Sequence, residues 1–196
     1  MSVLTGSSLR ERSRRAIQSE LVQVAQRLFV QQGYGETSVD EIAAAAGMSR
    51  RTLFRYVSSK EELVLAKYDL VRDECIDRLR ARPADEPVWT ALRRMFDGII
   101  GYLADPQHAS PAAVVQRIVA STPELHAGAL LRLEQMQRAI SVEVTERYPH
   151  VSSLAAAALV GAAFACLSAA QAQAERTGVA LGPLLDEVMA VMRPSV

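Results

Sequence analysis

Three arginines crowd one short stretch of this chain. Arg50, Arg51 and Arg55 stand with Ser49, Thr52, Phe54 and Tyr56 interleaved, and Lys60 lies just beyond. A guanidinium is planar, permanently charged and rich in N–H donors. It can therefore give two parallel hydrogen bonds to one flat acceptor edge, either a phosphate or the O6/N7 edge of guanine. Hydroxyls and an ammonium beside it suit phosphate oxygens, which hold position without reading sequence. Other chemistry is not set up. The chain has no G-x-S-x-G, no Walker loop and no H-E-x-x-H, and His108, His126 and His150 show no metal-ligand spacing. Gly33-Tyr34-Gly35 begins a dinucleotide-like fingerprint, but no strand precedes it and the third glycine is missing. No catalytic residue, no metal and no cofactor is expected, and the chain does not read as an enzyme.

The elements that must carry those arginines are legible around them. Ser38 and Glu41 have the S-x-x-E spacing of a capping box, which opens a short helix. Gly47 stops that helix, because glycine tolerates the left-handed conformation found just past a helix end. Ser49 caps a second helix at once, and two short helices joined by a glycine turn form a helix-turn-helix. Ile42, Ala46, Met48, Leu53 and Tyr56 fall where the two helices bury apolar surface, and Ala43 lets them cross closely. Leu53 and Val57, one turn apart, mark the inward face, which leaves Arg51 and Arg55 outside with Thr52 and Phe54 beside them. Arg50 sits at the tip, the end that enters a major groove in this motif. The competing reading is an αα-hairpin with a solvated arginine face. Agreement of the apolar positions, the glycine and both caps favours the first reading.

Residues 14–63 resemble the DNA-binding domain of the TetR family of bacterial transcriptional regulators. The resemblance rests on Ala25-Gln-Arg-Leu-Phe29, Gly33-Tyr34-x-x-Thr37-Ser38-Val39, Ile42-Ala43-x-x-Ala46-Gly47-Met48-Ser49 and Thr52-Leu53-Phe54-Arg55-Tyr56-Val57-x-x-Lys60-Glu61-Glu62-Leu63. Phe54 stands where the family usually has Tyr, and Val57 where it often has Phe. Without the hydroxyl, Phe54 is expected to meet a thymine methyl or a sugar edge rather than a phosphate. The resemblance implies an all-α fold: a three-helix head, residues 1–58, and a helical effector-binding and dimerisation domain, residues 59–196. It implies a homodimer on double-stranded palindromic operator DNA, most often a repressor, released by a small-molecule effector. An activator, or a binder of the same fold without effector, is the alternative. On this reading Arg50, Arg51 and Arg55 contact bases, while Ser38, Thr52, Tyr56 and Lys60 hold phosphates.

The bulk numbers agree once they are resolved along the chain. Lys+Arg and Asp+Glu are both 22, so the whole chain is formally neutral. Residues 1–60 carry nine basic against five acidic residues, leaving 13 against 17 in the rest. A basic head on an acidic body is expected when only one end meets phosphate. Cys75 and Cys166 have no partner spacing and read as small buried hydrophobes. The N-terminus is arginine-rich without the apolar core of a signal peptide, so a cytoplasmic location is expected.

Helical periodicity runs through the remainder, and no alternating stretch reads as a strand. Residues 1–9 are expected to be unstructured. Arg10, Arg12, Arg14 and Arg15 then form either an arm on DNA or a solvated tail. A scaffold helix follows over residues 13–32. Ser59 and Glu62 suggest a second capping box opening a helix to about Arg80, the mechanical link to the body. One helix is expected from Trp89 to Leu103, then a loop from Gln107 to Ser110, and further helices over 112–120, 125–148, 151–174 and 181–192. The stripe on the 125–148 helix is Leu130, Leu133, Met136, Ile140 and Val144. Residues 151–174 carry no charge and are long enough to span a bilayer, but alanine, serine and glutamine dilute the transfer energy. No membrane segment is therefore expected, and a helix apolar all round is one covered by protein. Gly161, Ala165 and Ala169, with Leu184 and Val188 of the last helix, are assigned to a four-helix dimer interface. An ordinary intramolecular core is the competing reading. Trp89, Phe96, Ile99, Leu103, Ile118, Leu133, Met136 and Phe164 are candidates to line a mainly apolar effector pocket, although any one of them could simply fill core.

Overall fold

A computed structural model describes residues 9–193. The stretch 1–8 and the Arg10 side chain lie outside the described residues. Among those described there are ten α-helices and no strand: α1 Leu9–Gln32, α2 Val39–Ala45, α3 Arg50–Leu53, α4 Lys60–Arg80, α5 Val88–Met95, α6 Asp97–Ala104, α7 Pro106–Ser121, α8 Pro123–Arg147, α9 Ser153–Thr177 and α10 Leu181–Val191. They pack as two compact units, Met1–Leu70 with Ser110–Leu130, and Val71–Ala109 with Leu131–Val196. The boundary at 58/59 marks the end of the motif, whereas the units follow packing and carry α4 as far as Leu70 into the first.

The first unit is built on α1. Leu21, Val24, Ala25 and Phe29 recur at helical spacing and are buried with Ile42 and Ala43 of α2, Leu53 of α3, and Val57. Leu63 and Val64 of α4, Val115 and Val119 of α7, and Leu125 and Ala129 of α8 complete that core. Tyr34 fills the corner after α1, its ring edge-on to Phe29 at 5.2 Å between centroids. Gly128 allows a close approach within this unit, since a Cβ there would stand 2.7 Å from Leu65 Cδ1.

In the second unit α9 packs along α10 and against α5. Ala156, Val160, Ala163, Phe164, Cys166, Leu167 and Ala170 are the buried residues of α9, and Gly182, Leu185 and Met189 are those of α10. The Phe96 ring meets Phe164 edge-on at 5.2 Å. Polar anchors fix α5 on α10: Trp89 Nε1 donates to the Met189 carbonyl at 2.9 Å, and Arg93 bridges Asp97 and Asp186 at 2.7 and 2.5 Å. Cys75 and Cys166 are both buried free thiols, and burial pushes the Cys75 thiol up to about 12.

Four expectations change. α1 begins at Leu9, not near residue 13. The helix expected from Trp89 to Leu103 is two, α5 and α6, interrupted at Phe96 where the buried ring is seated. The loop expected from Gln107 to Ser110 is helical, because Pro106 occupies the first position of α7 and Asp105 Oδ1 accepts the Gln107 amide at 2.9 Å. Pro111 sits inside that helix and removes only one amide donor. On α8, Met136, Ile140 and Val144 are buried as expected, but Leu130 is 55% exposed. Leu125 and Ala129 take the inward positions there, one turn apart.

α9 has the length and mean hydropathy, 2.0 over its most apolar window, of a membrane span by composition alone. Its packing within the second unit accounts for the inward half of that apolar surface.

Candidate nucleic-acid interface

The head is assembled by short polar contacts that the spacing foretold. Ser38 Oγ accepts the Glu41 amide at 3.2 Å, and the Glu41 carboxylate accepts the Ser38 amide at 2.8 Å, a complete capping box. The Ser38 amide, followed by its hydroxyl, holds the Glu41 carboxyl below its usual range. Gly47 takes φ +66, the left-handed turn that releases α2, and Ser49 Oγ then accepts the Thr52 amide at 3.1 Å to start α3. α3 itself is only Arg50–Leu53; its end tightens through Arg55 N–H to Thr52 O at 3.1 Å and Tyr56 N–H to Leu53 O at 2.9 Å. That tightening keeps Leu53 and Val57 inward while Arg51, Phe54 and Arg55 stay exposed.

Each expected contact residue can be placed. Arg51 and Arg55 project from the outer face, and Arg55 lines an open cleft with Tyr56, Leu9, Ser13 and Arg14. Arg14 thus lies beside the motif. Arg50 is also exposed but not free: its Nη1 donates to Asp40 Oδ2 at 3.0 Å, and its Cζ lies 5.5 Å from the centre of the Phe54 ring. Thr52 Oγ1 and Ser49 Oγ share a hydrogen bond at 2.9 Å. The Ser38 hydroxyl gives its one proton to Glu41 at 2.8 Å, so it donates to a phosphate only by leaving that carboxylate. Tyr56 is half-buried against the head core, and its carbonyl accepts Gln18 Nε2 at 3.1 Å.

Lys60 differs most from the expectation. Its ammonium donates to the carbonyls of Tyr34 at 2.8 Å and Thr37 at 3.1 Å, over the Tyr34 ring at 4.2 Å. Two of its three donors therefore tie the loop after α1 to the start of α4, and one remains for an incoming anion. Tyr34 Oη donates to Glu61 at 3.0 Å; burial, then that carboxylate, raises the phenol well above its usual range.

The other candidate sites are distributed as follows. Trp89, Phe96, Ile99, Leu103, Leu133, Met136 and Phe164 lie in the second unit, whereas Ile118 packs half-buried on the core of the first. Phe96, Met136 and Phe164 are buried, and the remaining five are half-buried. Ala165 and Ala169 are exposed, while Gly161, Leu184 and Val188 are half-buried. A Cβ at Gly161 would meet nothing within 4 Å.

Sequence reasoning passed over two residues. Asp40 gave no signal, because its pairing with Arg50 crosses the turn rather than following a helical spacing. Lys67 did: it lies on the stripe Leu63, Lys67, Val71 of an otherwise apolar face. Among the described residues its ammonium reaches Gln116 Oε1 at 3.4 Å and the Tyr68 ring at 5.0 Å, and burial pushes it down to about 8.

Comparison with known proteins agrees with this geometry. Residues 21–66 match the family "Bacterial regulatory proteins, tetR family", and residues 86–196 match the "MftR C-terminal domain". The chain is 33% identical over 140 residues to the HTH-type transcriptional regulator TcmR of Streptomyces glaucescens, a match covering 69% of this chain and 62% of TcmR. It is 32% identical over 111 residues to the HTH-type transcriptional regulator EthR of Mycolicibacterium smegmatis, covering 55% of this chain and 49% of EthR. The chain thus spans less than two thirds of the length of either relative. Among solved structures, the fatty acid degradation regulator FadR of Bacillus halodurans superposes with a TM-score of 0.62 at 16% identity, covering 92% of this chain and 96% of that one. FadR of Thermus thermophilus, a transcriptional repressor solved with lauroyl-CoA, gives 0.57 at 17% identity, covering 89% and 92%. These two likenesses concern the fold.

Proposed function

The chain belongs to the TetR family of bacterial transcriptional regulators, and from that premise we propose that it acts as a cytoplasmic homodimeric repressor released from a palindromic operator by a small, mainly apolar molecule. It is a DNA-binding regulator, not an enzyme. The observation that carries the proposal is the exposed surface of Arg51, Phe54 and Arg55, with Arg50 at the tip, on a motif capped at both of its helices. In this reading those arginines enter the major groove, and Thr52, Tyr56 and the remaining Lys60 donor hold phosphates.

Dimerisation is assigned to α9 and α10. Leu154 is 81% exposed, and Ala157, Ala158, Ala165 and Ala169 continue an uncharged exposed face along α9. Small residues there suit close approach by a second copy. Two linked heads gain affinity through effective concentration, which one head lacks.

The effector is assigned to the aromatic and aliphatic cluster around Phe96, Met136 and Phe164 in the second unit. α4 contributes residues to both units, and its first residue, Lys60, is bonded to the loop that precedes the α2 cap. A ligand that favours one setting of α4 shifts the heads only by its difference in affinity between settings. Switching from 1:99 to 99:1 takes about 5.5 kcal/mol of such difference.

Electrophoretic mobility shift on the DNA flanking the chain's own gene tests the DNA assignment, with a specific complex expected at salt that abolishes random-duplex binding. Small, mainly apolar ligands, with lauroyl-CoA as a charged acyl comparison, are then titrated against protein and complex separately. Reciprocity demands that an effector bind the complex more weakly by the factor with which it weakens operator binding. Equal affinity for both forms sinks the effector assignment and leaves the DNA assignment standing.

A further inference from the structure

The contact between Asp40 and Arg50 has no evident role in holding the fold. Both side chains are 61% exposed, and an ion pair in that setting adds about 0–1 kcal/mol. The first turn of α2 already has Glu41 in its capping box, so a second carboxylate is not needed to close the helix start. Asp40 also places a negative charge on the surface that reads DNA, where it weakens attraction to every phosphate. A residue that adds little to stability and opposes generic binding is explained if it orders something else.

What it orders is the Arg50 guanidinium. One N–H is taken by Asp40 Oδ2 at 3.0 Å, and one side of the group is set by the Phe54 ring, with Cζ at 5.5 Å from its centre. No other interaction of the Arg50 side chain is present among the described residues. An arginine at a helix tip otherwise samples many rotamers and loses that freedom on binding. Held by a carboxylate and an aromatic ring, it meets its partner with part of that loss already taken, and its remaining donors form a fixed fork. The flat acceptor that such a fork matches in a major groove is guanine, through O6 and N7. Adenine offers one acceptor and one donor there, and a guanidinium cannot accept.

We infer that Asp40 is a specificity-determining positioning residue: with the Phe54 ring it holds Arg50 for guanine, so the base pair facing Arg50 is G·C. The inference rests on the reading that Arg50 enters the groove. It also gives Phe54 a task that does not need a thymine methyl.

The test uses the intact chain, an operator duplex selected by the protein itself from a random library, single base-pair variants of it, and an unrelated duplex at the same salt. Arg50→Ala should erase the preference at one G·C pair. Asp40→Ala should reduce the preference at that same pair about tenfold, while binding the unrelated duplex as tightly as wild type or more tightly. The double variant should discriminate no worse than Arg50→Ala alone, and Asp40→Glu should recover part of the loss. Thermal melting should be unchanged in Asp40→Ala. If Asp40→Ala keeps full discrimination although Arg50→Ala loses it, the inference fails and the groove reading survives. If Arg50→Ala alters no base preference, the groove reading itself fails. An affinity gain over wild type in Asp40→Ala that is larger on the operator than on the unrelated duplex would mean that Asp40 restrains Arg50, which overturns the inference. A lower melting temperature with equal weakening on all duplexes would make Asp40 a helix-start residue only, with the same consequence.

Discussion

Between Ser38 and Val57 successive residues do different jobs: a cap at Ser38, its reciprocal partner at Glu41, a left-handed turn at Gly47, a second cap at Ser49 and an apolar anchor at Leu53. Between Ser153 and Thr177 one job recurs. Eleven of the 25 residues of α9 are alanine, and which of them face inward is decided by what packs beside them. In the first region specificity comes from directional hydrogen bonds to backbone amides, each demanding a particular residue type. In the second it comes from burial, which is non-directional and accepts any small apolar side chain. The first region accordingly declares its role, and the second only its hydrophobicity.

The largest effect is expected where the second region is assigned an interface. Gly161→Leu adds a side chain into space that is empty within the chain, so the monomer fold should be kept while a close-packed partner is displaced. Operator affinity should fall by roughly a hundredfold or more, with the protein sedimenting as a monomer. A dimeric variant with normal binding would return this face of α9 to solvent and leave the contrast without its functional half.

Within the head, two cations should separate by role. Arg51→Ala should cost about 1–3 kcal/mol on the cognate operator and relax base preference. Lys60→Ala should weaken all duplexes alike and reduce the salt slope by about one. It should also lower folding stability by about 1–2 kcal/mol, because the Tyr34 and Thr37 carbonyls lose a charged donor. Competition binding across a salt series, with chemical denaturation alongside, measures both. Unchanged stability would remove the structural role from Lys60.

The smallest effect concerns Lys67, a cation on an apolar stripe. Burial lowers its ammonium from the ordinary 10.5 to about 8. Between those values the unfolded chain binds the proton more readily than the folded one, so stability rises with pH from about 8 to 10.5, and the penalty is complete below 8. Lys67→Met should add about 1 kcal/mol at pH 7 and flatten that rise. Urea unfolding at pH 7, 8.5 and 10 reads both. A variant less stable at pH 7 would show that the ammonium has a stabilising partner.

How much of this was legible differs by element for a physical reason. The helix-turn-helix could be read to the residue, since caps and glycine turns are local: Ser38 and Glu41, or Ser49 and Thr52, meet within one turn of chain whatever surrounds them. The all-α class followed from helical periodicity, and the break between α4 and α5 from Pro83 and Pro87. Membership in the TetR family was carried by the same local run, Ala25 to Leu63. Tertiary packing decided the rest. It interrupted the helix at Phe96, turned Leu130 outward in favour of Ala129, brought Lys60 onto two carbonyls more than 20 residues away, and set Asp40 against Arg50 across the turn. Those outcomes depend on which surfaces meet in space. Local pattern records which residues can be buried or bonded, and only the packed chain selects their partners.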